Sequence, residues 1–202
     1  MPEIEIPVNA ELRSSDGPYG RSVCLIVDPV QNIVTHLVVQ EDEYPQTQRL
    51  VPIDLAEIAA PGQVNLRCTT DQLKKMDSFV DTEFIPSDPA ISPIMVWPFV
   101  EPAMGPIAIE HEKVPTGEVA LHRGTPVHAT DGLVGRVDEL MIDQAGGKIT
   151  HLVLREGHLW GQKDVSIPLS KIQGIGQDGI QLGLSKKEIE VLPEIQIHRS
   201  YG

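Results

Sequence analysis

The chain has 202 residues, of which 41% are hydrophobic and only 4% aromatic, so its core must be aliphatic, built from the Val, Ile and Leu that favour strands. A formal net charge of -13, with no cluster of Lys and Arg beyond pairs such as Lys186-Lys187, argues against direct binding of nucleic acid, whose phosphates demand clustered cations. No stretch reaches the roughly 18 apolar residues of a membrane span, and the start, MPEIEIPVNAELRSS, has no basic region followed by an apolar run; a cytoplasmic chain without membrane insertion is expected.

Compared with itself, the chain repeats. Asp16 to Val39 aligns without a gap with Asp131 to Leu154 at an offset of 115, and ten of the 24 positions are identical where chance gives one or two, so two copies of one unit are predicted. The shared residues include Gly20/Gly135, Arg21/Arg136, Asp28/Asp143 and His36/His151. After one inserted residue the match resumes at offset 116, pairing Val51-Pro52-Ile53 with Ile167-Pro168-Leu169 and Val64-Asn65-Leu66 with Ile180-Gln181-Leu182.

In chain order, each copy opens on Asp-Gly, a turn pair tolerant of positive φ, and runs into alternating apolar positions such as Leu25/Val27 and Leu140/Ile142 that read as a half-buried strand. The short polar turns DPVQN and DQAGG lead to β-branched partner strands, IVTHLVV and KITHLVL, which makes a hairpin in each copy. Short strands around Pro52 and Pro168 follow, where proline suits strand starts or edges. Each copy then closes on a short helix whose start carries a capping box, Thr69 with Gln72 and Ser185 with Glu188, and Pro193 stops the second. Cys24 and Cys68, with no CxxC, read as buried free thiols of a reducing compartment.

The predicted organisation is a first barrel over residues 1–76, a proline-rich segment over 77–117 and a second barrel over 118–202. The middle segment shows no clear periodicity. It reads either as an extended tether or as a strap whose Phe79, Phe84, Ile94, Met95, Trp97 and Phe99 pack on a barrel, and the cost of leaving Trp97 and all three Phe in water argues for the strap. Trp97 and Phe99 are also candidate partner contacts.

The features DG..GR....D....ITHLV and a following IP strand, at Asp16 to Val39 with Val51-Pro52 and at Asp131 to Leu154 with Ile167-Pro168, resemble the PRC-barrel domain, which occurs in the cytoplasmic part of the reaction-centre H subunit and in the C-terminal half of a ribosome maturation factor. Neither the transmembrane helix of the first nor the extra domain of the second, for which the N-terminal segment is too short, is expected. What the resemblance implies is a mainly β protein of two small, strongly bent, antiparallel barrels in tandem, each with a short C-terminal helix, acting as an adaptor surface rather than a catalyst.

The residues themselves show no nucleophile with a plausible base, no Gly-rich phosphate loop and no H-E-x-x-H, so no enzyme, cofactor or metal site is expected. Glu110-His111-Glu112 and His151 with His158 are weak approaches to ligand spacing, and the repeat of His36 at His151 argues that this position serves the barrel. The most distinctive segment is REGHLWGQKD, whose Arg155, His158, Trp160 and Lys163 are residue types suited to recognition. The alternative is Trp160 folded back as a lid on its own barrel. Glu41, Asp42 and Glu43 in the corresponding loop of the first copy form a candidate acidic counterpart, in the same chain or a neighbour. The expected function is a protein-binding adaptor whose partner the sequence does not identify. The alternatives are a self-assembling homo-oligomer and an accessory subunit of a membrane or photosynthetic complex.

Overall fold

The computed structural model describes residues 3–7, 9–60, 62–85, 107–143, 147–156 and 164–193. The first half holds β1 (Glu3–Pro7), β2 (Glu11–Ser14), β3 (Gly17–Asp28), β4 (Ile33–Glu41), β5 (Gln48–Pro52), β6 (Ala56–Ala60), β7 (Gln63–Leu66) and the helix α1 (Thr70–Leu73). A separate ribbon pairs β8 (Val80–Ile85) with β9 (Ile107–Glu112). The second half holds β10 (Val119–His122), β11 (Pro126–Ala129), β12 (Gly132–Asp143), β13 (Ile149–Glu156), β14 (Asp164–Pro168), β15 (Ile172–Gly176), β16 (Gly179–Leu182) and α2 (Lys186–Glu190). No helix among the described residues is long and apolar enough to cross a membrane.

The fold is mainly β, and the two halves have one topology. The sheet orders are β5-β4-β3-β2-β7-β6 and β14-β13-β12-β11-β16-β15, antiparallel apart from the short parallel pairs β2 with β7 and β11 with β16. Both predicted hairpins form, β3 with β4 and β12 with β13. The long strands bend because their sequences permit close approach. A Cβ on Gly20 would lie 1.9 Å from the Gln40 carbonyl oxygen, and one on Gly135 would lie 2.5 Å from that of Arg155. Pro52 and Pro168 end the edge strands β5 and β14 and lead into single 3-10 turns, a position where the missing N–H costs no ladder bond.

The Asp-Gly pair that opens each copy acts at long range. Asp16 Oδ1 accepts from the Thr70 amide at 2.9 Å, the Thr70 hydroxyl at 2.8 Å and the Ser14 hydroxyl at 2.6 Å, while Asp131 Oδ1 accepts from the Lys186 amide at 2.9 Å. Each aspartate thus ties the closing helix to the opening turn, supplying an acceptor for a first-turn amide that has no partner within its helix. Both capping boxes form: the Thr69 amide donates to Gln72 Oε1 at 2.9 Å and the Ser185 amide to Glu188 Oε2 at 2.8 Å.

The halves are not independent barrels placed in series. β1, which precedes the first sheet, pairs with β12 of the second; β10, which precedes the second sheet, pairs with β3 of the first. The registers are equivalent. Ile4 opposes Ile142 and Val119 opposes Val27, and these pairs coincide under the offset of the sequence repeat. Along the 12 residues of β3, β2 covers Gly17 to Arg21 and β10 covers Cys24 to Val27, so the two strands abut end to end. β11 and β1 divide β12 in the same way. The hairpin ladders slip between Ser22 and Cys24 and between Val137 and Glu139, so a bulge lies beside each crossover and adds the bend that redirects the neighbouring strand.

A second contact closes the exchange. The Val34 amide donates to the Gly147 carbonyl at 2.9 Å and the Ile149 amide to the Asn32 carbonyl at 2.9 Å, around an isolated bridge between Ile33 and Lys148. The two bonds interchange under the repeat offset, and Ile33 faces its own repeat Lys148, which defines a pseudo-two-fold axis. Asn32 at φ 55° and Gly147 at φ 66° hold the left-handed conformation that turns both chains towards it. One apolar cluster accordingly runs through both halves, from Leu12, Leu25 and Leu37 to Leu140, Leu152 and Ile167, and it includes Leu121 of the exchanged β10 with no exposed surface.

Two predictions follow from this architecture. Gly20→Ala lowers stability by about 1–3 kcal/mol in urea unfolding, because the added methyl overlaps backbone; Gly174→Ala, where a Cβ meets nothing within 4 Å, leaves the midpoint close to that of the parent. The second concerns acid. Bonds from the Ser14 hydroxyl and from Thr70 lower the Asp16 carboxyl from 3.8 to about 2. A carboxyl depressed by folding contributes stability above its unfolded value and loses it as the pH falls through its folded one. The stability advantage of the parent over Asp16→Asn is therefore complete above pH 3.8 and closes as the pH approaches about 2, as read from urea melts across that range.

Candidate interaction site

Several residues common to both repeats make local contacts within their sheets. Asp28 Oδ1 accepts from the Val30 and Gln31 amides at 2.8 and 3.0 Å and so fixes the hairpin turn; Asp143 receives the Gly147 amide on its carbonyl at 3.0 Å in the second copy. Arg21 and Arg136 are exposed, and Arg136 donates to the Gly124 carbonyl at 2.8 Å. His36 and His151 take equivalent places, with Nδ1 lying 3.0 Å from the Thr35 hydroxyl and 3.2 Å from the Thr150 hydroxyl. In the first half this Thr-His pair meets the other half directly: the Thr35 hydroxyl donates to Glu118 Oε2 at 2.7 Å, and His36 Nδ1 lies 3.9 Å from the same oxygen, one residue before β10. Glu110-His111-Glu112 lies on β9, where successive side chains alternate between faces. His111 there faces Glu83 at 3.7 Å, and Glu112 faces His122 at 3.1 Å.

Of the proposed recognition loop, Arg155 falls on β13 and is described, while His158, Trp160 and Lys163 lie outside the described residues, as do Trp97 and Phe99. Arg155 Nη2 approaches Asp138 Oδ2 at 3.8 Å, and Arg123 brings Nε and Nη2 to Asp138 Oδ1 at 2.7 and 2.6 Å. Asp138 is the bulge residue of the second half, 2% exposed, and Arg123 sits in the crossover from β10 to β11, so this buried carboxylate anchors the crossover. The acidic counterpart divides. Glu41 is buried, accepting from the Tyr19 hydroxyl at 2.8 Å and from Arg49 Nε at 3.0 Å, so its charge is already matched inside the first half. Burial, reinforced by Glu41, pushes the Tyr19 hydroxyl well above its usual range. Asp42 and Glu43 are exposed, with Glu43 only 3.5 Å from Lys74 Nζ.

The segment read as a strap has two parts. Phe79 is fully buried against Cys24, Ile26 and Val38, and its amide donates to the Gln48 carbonyl at 2.9 Å, so the segment covers the edge of β5 as a strap would. Phe84 differs from the expectation: it is 64% exposed on the ribbon, because among the described residues β8 and β9 pair only with each other. Ile85 and Ile109 are exposed on the ribbon's opposite face, at 42% and 36%, because neighbouring strand residues alternate and Ile109 opposes Glu83. Ile94 and Met95 lie outside the described residues. A cleft of about 260 Å³ separates the ribbon from the β4–β5 loop and is lined by Pro45, Gln46 and Thr47 on one side and Val80, Thr82 and Glu110 on the other. The ribbon escaped the sequence reading because VDTEFI and IAIEHE are short and separated by a proline-rich stretch that hides their pairing. Burial pushes the Cys24 thiol, at the ribbon's foot, well above its usual range, so it stays protonated and unreactive.

Asp138 supplies the test of the crossover anchor. Asp138→Asn removes the charge opposite two arginines that are each 44% exposed and able to hydrate, so the expected loss is about 2 kcal/mol in urea unfolding, short of the ~3–5 kcal/mol for a wholly buried pair.

Residues 122–189 match the family model of the PRC-barrel domain. No curated protein matches the chain. The matched segment begins at the last residue of β10 and ends within α2, and the first half carries the same strand order, the same bulge and the same helix at the repeat offset. Residues 122–189 are thus similar to a PRC-barrel domain, and the first half of the chain is a second sheet of the same topology that exchanges a strand with the half containing them.

Proposed function

We propose that the protein is a non-enzymatic, protein-binding adaptor of a reducing, cytoplasmic compartment, with the ribbon β8–β9 as its partner-facing element. The exposed apolar side chains on both faces of that ribbon are the observation that carries this reading. Phe84, Ile85 and Ile109 sit on a two-stranded sheet whose outer edges both lack a described neighbour, and a two-stranded ribbon of this kind is marginal in water without a further partner. Asp81, Glu83, Glu110 and Glu112 on the ribbon outnumber Lys113 and His111. The fitting partner is therefore an extended segment bearing apolar and basic side chains, adding to an edge by strand pairing. Arg155 with His158, Trp160 and Lys163 gives the second barrel a separate contact of opposite charge. The similarity of residues 122–189 to the PRC-barrel domain and the equivalent places of His36 and His151 in the two sheets support a scaffold rather than a catalyst, and the buried free thiols Cys24 and Cys68 support the compartment.

The test is a crosslinked pull-down of the tagged protein from its native cells, with the parent compared to a Phe84→Ser, Ile109→Ser double variant. A foreign protein recovered with the parent and reduced at least about tenfold with the variant, the factor that about 1.4 kcal/mol of lost contact gives, supports the adaptor and its ribbon. Recovery of only the protein itself, or a partner indifferent to the ribbon, overturns it.

A further inference from the structure

The exchanged strands meet the requirements of an isologous interface, in which residue i of one unit contacts j of the other and j contacts i. Ile4 on Ile142 repeats Val119 on Val27; the bond from the Val34 amide to the Gly147 carbonyl repeats that from the Ile149 amide to the Asn32 carbonyl. Only one covalent connection joins the units, the chain between β8 and β9. None of these contacts depends on the two halves belonging to one chain.

We infer that a second copy of this chain can complete the first, giving a closed dimer in which the first half of each copy is paired with the second half of the other. In that dimer β1 of one copy lies on β12 of its partner copy and β10 returns to β3, so every hydrogen bond and every buried side chain of the exchange is retained. The ribbon is mixed in the same way, β8 of one copy with β9 of the other. Monomer and dimer then differ only in the entropy of the connection. A connection of this kind holds the halves at an effective concentration of about a millimolar, so the monomer prevails when dilute and the dimer forms when chains refold at concentrations approaching that value. The domain-swapped partner is a second copy, independent of any foreign protein the ribbon binds.

The experiment uses the full chain with Glu5→Cys and Met141→Cys, positions that oppose each other in the β1–β12 register. Cys24 and Cys68 are buried and stay out of the reaction. The protein is refolded from denaturant at micromolar and at near-millimolar concentration, oxidised, and analysed by light scattering, non-reducing gels and mass spectrometry of the disulfide-linked peptides. The expected result is a monomer with an intrachain 5–141 link from the dilute sample and a species of twice the mass, joined between copies by the 5–141 link, from the concentrated one. Monomer at both concentrations, or a dimer whose 5–141 links are all intrachain, overturns the inference. Should this variant fail to fold, Glu3→Cys with Asp143→Cys, two steps along the same register, gives the same readout.

Discussion

The long strand of each sheet is covered along four or five of its 12 residues by a strand that belongs to the other half of the chain, and the remaining features of the molecule depend on this pairing. β3 and β12 each need a neighbour beyond the point where β2 and β11 leave them, and β10 and β1 supply it. The interaction is apolar as well as hydrogen-bonded: Leu121 and Val119 of β10 enter the common core, each of the size class whose burial contributes about 1.5–3 kcal/mol. Unfolding of one half therefore exposes a strand and a core face of the other, which makes a single cooperative unit out of two repeats.

The two halves share this frame and differ in how they finish it. In the first, the bulge residue is Val23, packed beside the cluster that receives Phe79, and the edge of β5 is covered by the chain leaving α1. In the second, the bulge residue is the buried Asp138, held by Arg123 and Arg155. The apolar solution seats the foot of the ribbon, and the ionic one fixes the crossover while leaving two arginines half-exposed. The same divergence gives the first half its apolar, acidic ribbon and the second its more basic end, so the repeats supply two unlike surfaces on one pseudo-symmetric scaffold.

Much of each sheet was legible in the sequence because it rests on local signals. Alternation at Leu25/Val27 and Leu140/Ile142 marked the long strands, Asp28 and Asn32 the turn, and the capping boxes the helices at Thr69 and Ser185. The exchange was not legible, although the residues repeat. MPEIEIP and EVALH share only Glu3/Glu118 at the repeat offset, and a strand's partner is a long-range choice that its own pattern leaves open. Phe84 was misplaced for a related reason. Its apolarity spoke for burial, but pairing of β8 with β9 alone gave it no barrel face to cover. Glu41 looked like a surface charge in an acidic run, and only the fold brings Tyr19 and Arg49 to it.

Cutting the connection between the halves tests the exchange most directly. A specific protease site introduced between β8 and β9 allows the folded protein to be nicked there, after which size-exclusion chromatography with light scattering gives the mass of what remains. The two fragments are expected to stay together as a one-to-one complex of the parent mass and to part only in denaturant, because each holds a strand of the other's sheet. Two fragments that separate under native conditions, each retaining its β-sheet circular dichroism, would contradict it.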